Sequence, residues 1–205
     1  MSDVGSAFGM LRDWQTFAGA LLALGAAIWT IHVTRAEAKQ NALRYKKEIE
    51  RKKLAARAQM PDALSAMSAY ARESCRYLVE GGAKPSAPTD AIRTLKSVIE
   101  HIDDNEAGAT FVLVSWYQVQ SARVSRFDSK NKLEGNEYIY DTALLQAYVN
   151  GLFEYARNES QTVERKRPSK QEMADGLKSA IGVNIWVREN GRIGEVMVII
   201  ARRHS

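Results

Sequence analysis

"FAGALLALGAAIWTIHVTR", residues 17–35, decides how the rest of this chain is read. From Trp14 to Thr34 there are twenty-one residues without Asp, Glu, Lys or Arg. As a helix rising 1.5 Å per residue, that run is about 32 Å long, close to the roughly 30 Å hydrocarbon thickness of a bilayer. Trp14 and Trp29 sit near its ends, where amphipathic rings favour the membrane interface. Residues 17–29 are apolar or small on every side, so no face is left for water, as a core helix of a globular domain would need. The segment therefore predicts a transmembrane helix over 14–34. A cleaved signal peptide fits less well, because the side chains before Trp14 sum to −1 instead of forming a basic leader.

Charge placement sets the expected topology. Residues 34–60 carry nine Lys or Arg and three Glu, a net of +6, while residues 61–205 are balanced. The chain's overall +5 thus comes from the stretch just after the span. Basic flanks stay on the cytoplasmic side, which predicts residues 1–13 outside and 35–205 inside. Arg35, Lys39, Arg44, Lys46, Lys47 and Arg51 are the candidate contacts to anionic lipid, at about 1 kcal/mol each near the surface. The pI near 9.3 is then a local property and gives no sign of a nucleic-acid face. Residues 35–60 contain no Gly or Pro and many helix formers, so a basic juxtamembrane helix is expected there. Its apolar seam (Ala38, Ala42, Tyr45, Ile49, Ala56) is interrupted by Lys52, which leaves a coiled coil weakly specified.

Residues 61–205 read as a cytoplasmic helical domain. Pro61 suits a helix start. Leu64, Met67, Ala71, Cys75 and Leu78 form one stripe, ended by Gly81 and Gly82. Further stripes are Ile92, Leu95, Ile99 and Ile102; Tyr140, Leu144, Leu145, Tyr148, Leu152 and Tyr155 over 137–157; Met173, Leu177, Ile181 and Ile185; and Ile193, Val196, Met197 and Ile200. Residues 109–124 are rich in β-branched and aromatic side chains; helix is favoured, with strand as the alternative, and the same alternative holds for 191–203. "ESQTVERKRPSK", 159–170, reads as a solvated linker. The expected fold is all-α: a transmembrane helix continuing into a basic helix, followed by a helical bundle.

Motifs for chemistry are sparse. His32, His101 and His204 have no second His or Cys at ligand spacing, no phosphate-binding glycine loop occurs, and the one cysteine, Cys75, falls on an apolar stripe. No catalytic residue, cofactor or metal ligand is assigned. Gly19, Ala23 and Ala27, four apart on one face of the span, offer the close backbone approach that pairs membrane helices, so a weak homodimer is expected alongside lipid and an unidentified protein partner. "DWQT" leading into an Ala- and Leu-rich span and a basic helix, then "AARAQMPDALSAMSAYA", resembles uncharacterised small single-pass membrane proteins of bacteria, some from prophage regions. That resemblance covers about the first eighty residues; it implies a bacterial inner membrane and carries no activity. The leading expectation is a membrane-tethered helical interaction or scaffold protein. An enzyme with an unmarked site and a tethered nucleic-acid binder using 35–57 or 165–170 are the alternatives.

Overall fold

The chain is described by a computed structural model covering residues 4–128, 132–164 and 166–204, with the side chains of 4–20, 23 and 132 outside the description. Among the described residues there are seven α-helices and no strand. They are α1 (Val4–Glu80), α2 (Thr89–Ile99), α3 (Asp104–Arg126), α4 (Lys132–Ala156), α5 (Lys170–Ile181), α6 (Val183–Arg188) and α7 (Asn190–Arg203). The contacts divide into two compact units, residues 1–50 and 51–205.

The first unit is helical throughout its described part, and every described side chain from Leu21 to Glu50 is exposed. Thr30 and Thr34 return their hydroxyls to the carbonyls of Ala26 and Thr30, each at 2.8 Å. Their polar groups are thereby satisfied within the helix itself, as an apolar surrounding requires. Among the described residues no helix is long and apolar enough to cross a membrane. The expected span begins at Trp14, and side chains 14–20 and 23 lie outside the described residues. The remaining stretch, Leu21–Thr34, rises only about 21 Å, short of a hydrocarbon core.

The second unit is built around α4. Every residue from Ile139 to Ala147 is buried, so this stretch of the helix is enclosed by its neighbours. It packs against α3, α5 and α7. Two apolar clusters meet along it. One joins Met60, Leu64 and Met67 of α1 to α2, α3 and the second half of α4. The other joins Cys75 and Leu78 to the first half of α4, α5 and α7. Trp116 and Tyr148 pack against both. Several polar side chains inside are paired: Tyr70 donates to Gln120 at 2.9 Å, Gln120 to Thr142 at 2.9 Å, and Gln146 to Ser68 at 3.0 Å. Buried polar groups cost dearly unless bonded, so these links fix which faces of α1, α3 and α4 meet.

Several sequence expectations are refined here. Residues 109–124 and 191–203 are helical, α3 and α7, with no strand. α1 does not restart at Pro61 but runs through it. Ala56, Met60, Ala63 and Leu64 around Pro61 are all buried, so tertiary packing holds the helix through a residue that lacks a backbone donor. α2 buries Ala91, Leu95 and Val98, which turns its inner face one residue away from the stripe of Ile92 and Ile99. Ile185 does not continue α5: Gly182, at φ 74°, ends that helix and redirects the chain into α6. α4 begins at Lys132, five residues before the 137–157 helix expected from the sequence.

Candidate functional site

Two regions remain uncommitted to the core. The first is the exposed apolar and basic length of α1. Leu22 and Trp29 are 76% and 73% exposed, and Leu21, Leu24, Ile28, Ile31 and Val33 complete an apolar surface around the helix. Arg35, Lys39, Arg44, Lys46, Lys47 and Arg51 follow it and are all exposed. Of the small residues expected to pair helices, Ala27 is exposed, while the surroundings of Gly19 and Ala23 lie outside the described residues.

The second region is a cleft of about 1150 Å³ in the helical unit. Its floor is one face of α4, through Tyr140, Leu144, Tyr148, Gly151 and Tyr155, whose spacing of three to four residues keeps them in line. One wall is α3, through Ala109, Val112, Trp116 and Arg123. The other is the 160–168 connection and the start of α5. That connection is not a free linker. The Arg57 guanidinium, 4% exposed, donates to the carbonyls of Tyr155 and Ser160 and stacks 4.0 Å over the Tyr155 ring. The buried Glu106 carboxylate accepts the Val163 N–H at 3.0 Å. His204 Nδ1 donates to the Pro168 carbonyl at 2.5 Å, which leaves its Nε2 to accept from the Tyr140 hydroxyl at 2.9 Å. Ser169 then caps α5 in a reciprocal box with Glu172.

Asp141 is the chemically distinctive group of the cleft. Its side chain is 1% exposed. Oδ2 accepts from Arg123 at 2.5 Å, its main-chain carbonyl accepts from the Trp116 indole at 3.0 Å, and Oδ1 has no partner among the described residues. Burial pushes the Asp141 carboxyl above the usual carboxylate range, against the pull of Arg123. Burial likewise raises the Tyr148 phenol, with Arg167 opposing it. Cys75 lies outside the cleft, fully buried, its thiol pushed up to about 12, so it is a small core hydrophobe and not a nucleophile at neutral pH. Among the described residues no cluster of His, Cys, Asp and Glu could hold a metal ion.

Of the residues that the sequence singles out, the inward stripe Tyr140, Leu144, Tyr148, Leu152 and Tyr155 forms the floor of this cleft, and Lys166, Arg167 and Pro168 of the basic 165–170 stretch line its wall. Asp141 and Arg123 carry no mark in the sequence reading. The available signal was a carboxylate in the midst of "YIYDTALLQAY", a run otherwise fit for a buried helix. Comparison with protein families, with curated proteins and with solved structures finds no match.

Proposed function

We propose that this is a single-pass, membrane-tethered helical protein of the bacterial inner membrane, acting through interaction and localisation, with residues 35–205 on the cytoplasmic side. The observation that carries the reading is the uncovered apolar surface from Leu21 to Val33, followed at once by exposed basic residues. A contiguous apolar surface of that kind on a helix in water is rare outside an interface. Extended back through the uncharged residues 14–20, it reaches bilayer length. The hydroxyls of Thr30 and Thr34, turned onto their own helix, suit a medium without water. The basic run then fixes orientation and attracts anionic headgroups.

The test is membrane extraction and a reporter on the intact chain. The protein should stay in the membrane pellet after alkaline carbonate washing. A C-terminal alkaline phosphatase fusion should be inactive and a C-terminal green fluorescent protein fusion bright. Replacing Arg35, Lys39, Arg44, Lys46 and Lys47 by Gln should raise the phosphatase signal. Release into the carbonate supernatant removes the tether, and an active phosphatase fusion of the parent reverses the topology.

A further inference from the structure

We infer that α1 pairs in parallel with α1 of a second copy of this chain, along one continuous coiled-coil seam from Leu21 to Ile49. The part of the seam beyond Arg35 stands on the helix alone. Its continuation through residues 21–33 rests on the membrane reading.

The seam is clearest outside the uncharged stretch. Ala38, Ala42, Tyr45 and Ile49 recur at steps of four, three and four, which are heptad positions d, a, d and a. All four are exposed, Tyr45 at 68%. Tyr45 lies about 16 Å beyond Thr34 along the helix and Ile49 about 22 Å, past the reach of hydrocarbon tails. Lipid therefore leaves them uncovered, and so does the chain itself. Of the larger apolar side chains between Arg35 and Arg51, only Leu43 stands off this seam, at b. Followed backwards, the same register meets Ile31, Ile28, Leu24 and Leu21 without a skip, each at least half exposed. Within the uncharged stretch the pattern is one of size. The a and d positions hold Leu and Ile, while Ala23, Gly25, Ala26 and Ala27 occupy c, e, f and g. Small residues at e and g let the two backbones approach while the larger ones interlock. This face differs from that of Gly19, Ala23 and Ala27, which fall at f, c and g.

Charge fixes the occupant and its direction. In a parallel pair e meets g of the other helix. Lys39 then faces Thr34 of the second copy and Lys46 faces Asn41, so no like charges meet. An antiparallel pair sets e against e, which brings Lys39 and Lys46 of one copy against the same lysines of the other. Two copies held in one membrane with one orientation are parallel as well. Arg44, Lys47 and Arg51 fall at c, f and c, pointing away from the seam, where they remain available to anionic headgroups. Arg35, at a, is the one charged residue of the seam. A single polar residue at such a position costs stability and fixes register, and the long arginine side chain reaches out to the interface. Lys52, at the next d, ends the seam.

The test is oxidative cross-linking of single-cysteine substitutions in the full chain, carried out in its own membranes with copper phenanthroline. Cys75 is buried, and the parent serves as the blank. A disulfide needs Cα atoms within about 7 Å, which facing a and d residues of an in-register pair approach and outward residues do not. Ile28→Cys, Ala42→Cys and Ile49→Cys should form disulfide-linked dimer. Ala23→Cys, Leu43→Cys and Lys47→Cys should give no more than the parent. The inference is overturned if Ala42→Cys and Ile49→Cys stay monomeric, or if Leu43→Cys and Lys47→Cys link equally well, as random collision would produce. Linking at Ala23→Cys alone overturns it in favour of pairing through the small residues. Alkaline carbonate washing of the same membranes reports the tether separately. If the chain washes out while Ala42→Cys and Ile49→Cys still link, the membrane reading fails and the pairing beyond Arg35 stands. If the chain stays in the pellet and links at 42 and 49 but not at 28, the continuous seam is refuted.

Discussion

Substituting Gly176 by alanine puts the central packing of the helical unit to a direct test. Gly176 lies in α5 and faces α4 at close quarters. A Cβ there would stand 2.7 Å from the Ala143 carbonyl oxygen, 3.0 Å from the Ala147 nitrogen and 3.2 Å from the Ala147 Cβ. Two of those atoms are backbone and cannot swing aside. Reaching ordinary contact at 3.4 Å requires a shift of about 0.7 Å between α5 and α4. Overpacking of this kind costs about 1–3 kcal/mol. Against it stands the gain in helix propensity from glycine to alanine, about 1 kcal/mol. Gly194→Ala in α7 supplies the control, because nothing lies within 4 Å of a Cβ at that position and the propensity gain acts there alone. The expected result is opposite signs: Gly194→Ala stabilises by up to about 1 kcal/mol, and Gly176→Ala destabilises by up to about 2 kcal/mol. The separation between the two variants, about 1–3 kcal/mol, isolates the steric cost, since the propensity gain is common to both. Denaturant unfolding of the full chain in detergent, followed by circular dichroism, measures it. If Gly176→Ala is as stable as Gly194→Ala, α5 does not lie on α4 in the described register.

Arg57→Lys should lower stability by about 2–3 kcal/mol and speed tryptic cleavage in the 164–167 stretch, because an ammonium cannot hold both the Tyr155 and Ser160 carbonyls or stack on the Tyr155 ring; unchanged cleavage would mean that Arg57 does not pin the connection. The Glu172 carboxyl is held below its usual range by hydrogen bonds from Ser169, so its contribution is present above about pH 4.5 and is lost as pH falls through the folded value. Glu172→Gln keeps the acceptor but removes the charge, so the stability difference between parent and variant should be largest at neutral pH and shrink toward zero in acid. The comparison must be differential, because Asp141, raised by burial, works with the opposite sign. A difference that stays constant with pH would show that the charge at Glu172 plays no part in the cap.

The helices were legible in the sequence because their apolar residues recur at steps of three and four. Leu64, Met67, Ala71, Cys75 and Leu78 are buried as that spacing requires, and so are Ile193, Val196 and Ile200. Residues 109–124 were ambiguous for a physical reason: Phe111 and Val119 stand on the exposed face of α3, so no polar stripe marks that face, and β-branched and aromatic residues also suit a strand. Tertiary packing resolves it, with Leu113, Tyr117, Gln120 and Val124 turned inward at helical steps. The cleft was illegible for a different reason. Its polar members come from α3, α4 and the 160–168 connection, and no local spacing joins Arg123, Asp141 and Arg167. Arg167 in particular sits in a basic run whose ordinary meaning is a solvated loop. What converts that loop into a wall is the Arg57 guanidinium, 103 residues from Ser160 in sequence and bonded to its carbonyl. Asp141 shows the same dependence on distance. In the sequence it is one acidic residue in an apolar helix, and isolated burial of that carboxylate would be prohibitive. Arg123, eighteen residues away on the neighbouring helix, makes burial tolerable for one oxygen only.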